Sequence, residues 1–188
     1  AAAALSVPKG IPVGQTARVA AAAALDGARG NSGAILAQFL HGLAEEIGTR
    51  VHVSTRDFAA AVRRGVDAAH QALAQPVDGT ILSVLREWGS AVEEYARSIP
   101  DFGELLGRSL ERARVALADT PRQLAVLARH NVVDAGAQGF VYFLEGISSF
   151  FRDRTAANWK ASGLSIAPET PFAAAHADVD LTYRYCSE

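Results

Sequence analysis

Three glycine-rich stretches could do chemistry in this sequence: Gly27-Ala28-Arg29-Gly30-Asn31-Ser32-Gly33, then Pro76-Val77-Asp78-Gly79-Thr80, then Val133-Asp134-Ala135-Gly136-Ala137-Gln138-Gly139. Each stands just before a run with helical periodicity. The first N–H groups of a helix lack internal partners, and the helix dipole places partial positive charge there. Glycine lets a phosphate approach the backbone, and a small hydroxyl or amide side chain adds a directed donor. Several such starts converging at one end of a bundle would make an anion site without any lysine. Taken singly, each stretch reads more simply as a tight interhelical turn, since Gly, Asn and Asp are ordinary turn residues.

Other chemistries fit less well. The first stretch lacks the Gly-Lys-Ser/Thr ending of a P-loop and does not follow a strand as a dinucleotide fingerprint does. Ser32 misses the nucleophile-elbow spacing. His41, His52, His70, His130 and His176 are scattered, and with Cys186 the only cysteine there is neither zinc spacing nor an internal disulfide. Glu45-Glu46 and Glu93-Glu94 read as exposed helix faces. Arg108, Arg112 and Arg114 read as a solvated face rather than a basic patch.

The elements that must position the three stretches are helices. Ile35, Leu36, Phe39, Leu40, Leu43 and Ile47 share one face of a helix over 31–47. Phe58, Val62, Val66, Ala69 and Leu73 follow, opened by a Ser54–Asp57 capping box. Ile81 to Tyr95 form a third run, ending before Pro100. Phe102, Leu105, Leu106, Ala113 and Leu117 form a fourth, with Asp101 as N-cap and Glu104 at the reciprocal position. Thr120-Pro121-Arg122-Gln123 reads as another helix start, with a capping Thr, Pro at the first helical position and Gln at the third. A last run starts near Gly139, and the Ala-rich stretch 16–28 is a good helix former. Trp88, Phe150 and Phe151 are expected in the core. About seven helices with short links predict an all-α bundle of antiparallel neighbours. Residues 153–178 read as a linker and 179–188 as a strand that opens a following domain, so the helical domain is 1–152.

Of 188 residues, 49% are apolar and 20% charged, which suits a globular core. No apolar run approaches a membrane span. The net charge is −2, which lacks the basic footprint of a nucleic-acid binder, and the basic residues are nearly all arginine, with only Lys9 and Lys160 as lysines. A reducing, cytoplasmic setting is expected. No secretory leader is visible, while the absence of an initial Met suggests that the true N-terminus is missing.

Together and in order, Gly-Ala-Arg-Gly-Asn-Ser-Gly, Gly-Thr-Ile-Leu and Val-Val-Asp-Ala-Gly-Ala-Gln-Gly resemble the nucleotide-binding, DhaL-like domain of the fatty acid kinases, which is related to the ADP-binding subunit of dihydroxyacetone kinases. The resemblance spans roughly residues 12–152. It implies an up-and-down helical barrel with ATP or ADP at one end, and it places Asn31 and Ser32 at the phosphates with Gly30 and Gly33 shaping the turn. Gly79 and Thr80 would flank the nucleotide, and Asp134, Ala135 and Gly136 would border the nucleoside. Thr120 would approach the base. Arg29 would contact a phosphate or pair with an acidic neighbour.

The resemblance also implies Mg²⁺ held by an acidic loop after a first helix. Neither that helix nor that loop is found in this sequence, so no metal ligand is assigned. Asp26 and Asp78 each precede a glycine, but neither belongs to a carboxylate cluster. The implied partner is a DegV-type fatty-acid-binding protein that presents the acyl carboxylate, and a homodimer of the full-length protein is compatible. Leu181 to Glu188 resemble the start of the middle domain of fatty acid kinases. Two alternatives stay open: a dihydroxyacetone kinase subunit, and a nucleotide-sensing or scaffold module without catalysis.

Overall fold

A computed structural model describes residues 11–152, and the expected linker, the strand at 179–188 and Cys186 lie outside them. Seven helices fill this region: α1 (Val13–Gly27), α2 (Gly30–Ile47), α3 (Thr55–Gln71), α4 (Ile81–Tyr95), α5 (Phe102–Gln123), α6 (Ala125–His130) and α7 (Ala135–Arg152). Among the described residues there is no strand, as the sequence predicts. Consecutive long helices pack side by side, α1 on α2, α2 on α3, α3 on α4 and α4 on α5, with α7 against α5, α4 and α2. Short links reverse the chain each time, so α2, α4 and α7 all begin at one end of the bundle while α3 and α5 begin at the other.

The core follows the apolar periodicity. Ile35 and Phe39 of α2, Val62 of α3, Leu85, Trp88 and Val92 of α4, Leu105 of α5 and Phe140 and Leu144 of α7 are all buried. At about 1.5–3 kcal/mol for each large apolar side chain removed from water, this cluster supplies the main drive for packing. Its centre is aromatic. The rings of Phe39, Trp88 and Phe140 meet edge to face, with centroids 6.0 Å (Phe39–Trp88), 6.1 Å (Phe39–Phe140) and 5.6 Å (Trp88–Phe140) apart. The three rings come one each from the three helices that begin at the same end, roughly one and a half to two and a half turns below each start.

Close approach of α2 and α3 depends on missing side chains. A Cβ on Gly65 would lie 2.6 Å from the Phe39 carbonyl oxygen, and one on Gly42 would lie 2.7 Å from that of Arg64. Both are closer than real Cβ contacts allow.

Two expectations are corrected. Thr120-Pro121-Arg122-Gln123 does not start a helix: α5 continues through Pro121 to Gln123, and the next helix begins at Ala125. Proline has no N–H to reach the Leu117 carbonyl one turn back, but the Thr120 hydroxyl donates to that carbonyl instead, at 2.8 Å. The vacancy that would end the helix is thereby filled. Phe150 and Phe151 are not core residues but 59% and 38% exposed. Phe151 stacks on Phe102, with ring centroids 5.9 Å apart. Trp88 is buried as expected.

Candidate functional site

The three stretches singled out from the sequence form the starts of α2, α4 and α7, and each start is chemically different. At α2, Arg29 is the N-cap and makes no side-chain cap, and no acidic residue occupies the first turn. Gly30 takes a left-handed φ of 63°, and a Cβ there would meet nothing within 4 Å. Asn31 and Ser32 are exposed. Arg29 makes no ion pair with an acidic neighbour among the described residues, and its guanidinium donates instead to the backbone carbonyls of Ala28 at 2.7 Å and Asp26 at 3.3 Å. It thereby covers the carboxyl end of α1. Gly33 lies against Ala28, so the turn between α1 and α2 is tight.

At α4, Thr80 is the cap. Its hydroxyl donates to the Val77 carbonyl at 2.7 Å and lies 3.4 Å from the Leu82 N–H. Gly79 has a φ of 80° and is buried, and its N–H is taken by the Ser83 hydroxyl at 2.9 Å. A Cβ on Gly79 would lie 2.9 Å from Leu124 Cβ and 3.0 Å from the Thr120 carbonyl oxygen, so the turn packs on the end of α5. Asp78 receives Ser83 Oγ at 3.3 Å and Arg86 at 3.2 Å. Ser83, which the sequence reading passed over, thus organises this turn; a small polar residue within a run of buried apolar ones is the signal that would have found it.

At α7, Asp134 is the cap, with Oδ2 accepting the Ala137 N–H at 2.8 Å. Its own N–H is held by the buried Thr120 hydroxyl at 3.2 Å. Gly136 sits under Ser32, and a Cβ on it would fall 2.3 Å from Ser32 Oγ. Ala135 is exposed beside them.

The structure therefore brings the first and third stretches into contact through Ser32 and Gly136. It joins the third to the second through Thr120, which touches Asp134 on one side and Gly79 on the other. Thr120 itself is fully buried, and its hydroxyl is engaged by the Leu117 carbonyl and the Asp134 N–H.

The local electrostatics grade the three starts. The α2 start has no carboxylate in its own first turn, whereas the α7 start is already capped by the Asp134 carboxylate, which lies close to Ser32 as well. Only one oxygen of that carboxylate is engaged among the described residues, which leaves an acceptor for a hydroxyl or amino group. Arg108, Arg112 and Arg114 pair with Glu104, Glu87, and Glu111 together with Glu145, so they form a solvated face and no basic patch. Among the described residues no group of His, Cys, Asp and Glu could hold a metal ion, and no helix is long and apolar enough to cross a membrane.

Residues 1–149 match the DAK2 domain. The chain belongs to the DAK2 domain family. DAK2 domains are DhaL-like modules of the dihydroxyacetone kinase family, so membership supports a nucleotide-binding module. The chain is similar to an uncharacterized protein of Staphylococcus saprophyticus, 34% identical over 179 residues, which is 94% of this chain and 32% of that protein. An uncharacterized protein of Staphylococcus epidermidis is 31% identical over 182 residues, again 94% of this chain and 32% of its own length. Protein YloV of Bacillus subtilis is 37% identical over 131 residues, 70% of this chain and 24% of YloV. This DAK2 chain thus spans about a third of the length of the staphylococcal relatives it matches.

Proposed function

We propose that this chain holds the phosphates of ATP or ADP at the start of α2, and that the longer protein it belongs to is a kinase. In that protein the γ-phosphoryl group passes to the carboxylate of a fatty acid presented by a DegV-type fatty-acid-binding protein in the cytoplasm. The observation that carries the reading is the α2 start: no side-chain cap from Arg29, no acid in its first turn, and Ser32 seated against Gly136 of α7. Asn31, Ser32 and the backbone from Gly30 to Gly33 would meet the phosphates. Asp134, Ala135 and Gly136 would border the nucleoside, with the free oxygen of Asp134 accepting from it. Gly79 and Thr80 form the adjoining wall.

Phosphoryl transfer asks a protein mainly to position groups and offset charge. Mg²⁺ supplies much of the charge offset in such reactions, but the described residues include no carboxylate cluster that fits it. This chain contributes oriented N–H groups and a rigid frame. Negligible turnover is expected from the chain alone.

Calorimetric titration with ADP and Mg²⁺, run on the wild type and on an Asn31→Ala/Ser32→Ala variant, tests the site. Binding by the wild type and its loss in the variant are expected. No wild-type binding at millimolar ADP would reject the nucleotide reading. Acyl-phosphate formation by the full-length protein with a loaded carrier tests the kinase reading, and dihydroxyacetone phosphate as the product instead would redirect it.

A further inference from the structure

We propose that Thr120 is a positioning residue whose buried hydroxyl fixes the start of α7 relative to the end of α5 and the start of α4, and so sets nucleotide affinity without touching the nucleotide. The proposal rests on the nucleotide reading above.

The geometry is specific to a hydroxyl. Pro121 leaves the Leu117 carbonyl without its helical donor, and the Thr120 hydroxyl donates to it at 2.8 Å. With its proton committed there, the same oxygen presents its lone pairs to the Asp134 N–H, which donates to it at 3.2 Å. Thr120 is fully buried and its bond to the Leu117 carbonyl is shielded from water, while the bond from the Asp134 N–H is part-buried. The residue's own carbonyl accepts the Leu124 N–H at 3.1 Å and lies 3.0 Å from where a Gly79 Cβ would stand.

One residue therefore touches both the α4 turn and the α7 turn, and Gly136, two residues after Asp134, carries Ser32 of α2. If the hydroxyl is lost, the buried Leu117 carbonyl and the part-buried Asp134 N–H lose their partner, and the start of α7 can shift away from α2. Because linkage is reciprocal, a nucleotide that favours the latched arrangement must also hold the latch shut.

The experiment compares the wild type with Thr120→Ser and Thr120→Val. ADP affinity is measured calorimetrically with Mg²⁺ present, thermal melting establishes folding, and amide hydrogen exchange at Asp134 is followed with and without ADP. Thr120→Ser keeps the hydroxyl and is expected to bind within about twofold of wild type. Thr120→Val keeps the shape and is expected to bind about tenfold more weakly, as for the loss of one buried hydrogen bond, with faster exchange at Asp134. In the wild type, ADP is expected to slow that exchange.

Equal affinity of the wild type and Thr120→Val would overturn the proposal while leaving the nucleotide site standing. So would a Thr120→Ser variant as weak as the valine, since the methyl group and not the hydroxyl would then matter. If Thr120→Val does not fold, the wild type decides: exchange at Asp134 unchanged by saturating ADP overturns the coupling. If the wild type binds no ADP, the nucleotide reading itself fails and this role goes with it.

Discussion

At the end of the bundle where α3 and α5 begin, the chain closes its helix starts with its own groups. Ser54 and Asp57 form a reciprocal capping box on α3, and Asp101 accepts the Glu104 N–H at 2.9 Å on α5. Even α1, whose N-cap is Pro12, has its Gly14 N–H taken by the Arg50 carbonyl at 3.1 Å. At the opposite end the starts are treated unequally. Thr80 caps α4 and Asp134 caps α7, but at α2 the N-cap residue Arg29 makes no side-chain cap and the first turn carries no acid. Both ends face the same physical problem, unpaired N–H groups at the positive pole of a helix dipole. One end solves it internally. On the function proposed above, the α2 start at the other end would receive the phosphates, with the Thr80 and Asp134 caps on either side of it.

The largest expected effect comes from making the two ends alike. Arg29→Asp places an acceptor side chain at the N-cap of α2, where the backbone is already extended, with φ −135° and ψ 133°. A capped α2 is expected to gain about 1 kcal/mol of stability, the usual worth of an N-cap. The same carboxylate would occupy and repel the phosphate position, so ADP affinity should fall about tenfold or more, a loss of about 1.4 kcal/mol of binding or greater. Thermal melting and calorimetry on the one variant read both effects. Gain of stability with unchanged ADP affinity would place the anion site elsewhere.

Gly79→Ala tests whether the wall of the open end is as tightly built as its packing suggests. The added Cβ meets α5 at 2.9 Å, and the φ of 80° is unfavourable for alanine. A loss of about 1–3 kcal/mol is expected from strain of this kind, measured by denaturant unfolding, together with weaker ADP binding because the turn is shared with the site. Equal wild-type and variant stability would mean that the turn is looser than its contacts indicate.

The closed end was legible in the sequence because its devices are local. The Ser54–Asp57 box and the Asp101 cap each act within one turn of chain, and each is found where the spacing places it. Helix faces were legible for the same reason, since Phe39, Val62 and Trp88 declare themselves by period. What the sequence hid was contact between distant segments. Thr120-Pro121 has the local form of a helix start, yet the Thr120 hydroxyl takes over the donor role that Pro121 lacks, and the helix runs on. Nothing in the spacing announces that Ser32 will rest on Gly136, or that Gly79 will rest on α5. Periodicity at the end of α7 likewise marks Phe150 and Phe151 as apolar without saying whether a neighbour covers them.

The smallest effect belongs to the closed end and uses pH. The Asp57 carboxyl is held below its ordinary value chiefly by the hydrogen bond from the Ser54 hydroxyl (2.6 Å), then by that from the Ser54 N–H (3.0 Å). Partial desolvation opposes this, and the positive charge of Arg50 adds to it slightly. For a depressed acid the sign follows directly. The unfolded chain takes up its proton first, so the cap's contribution is fully present above the ordinary carboxylate value of about 3.9 and is lost as pH falls through the lower folded value. In Ser54→Ala both the cap on the Asp57 N–H and the main cause of the depression disappear. The Asp57 midpoint, followed by its carboxyl NMR resonance, should rise toward the ordinary value, with a loss of about 1 kcal/mol in stability at neutral pH and no change in ADP affinity. An Asp57 midpoint unmoved by the substitution would break the account of the closed end. A change in ADP affinity would show instead that the two ends are coupled through the length of α3.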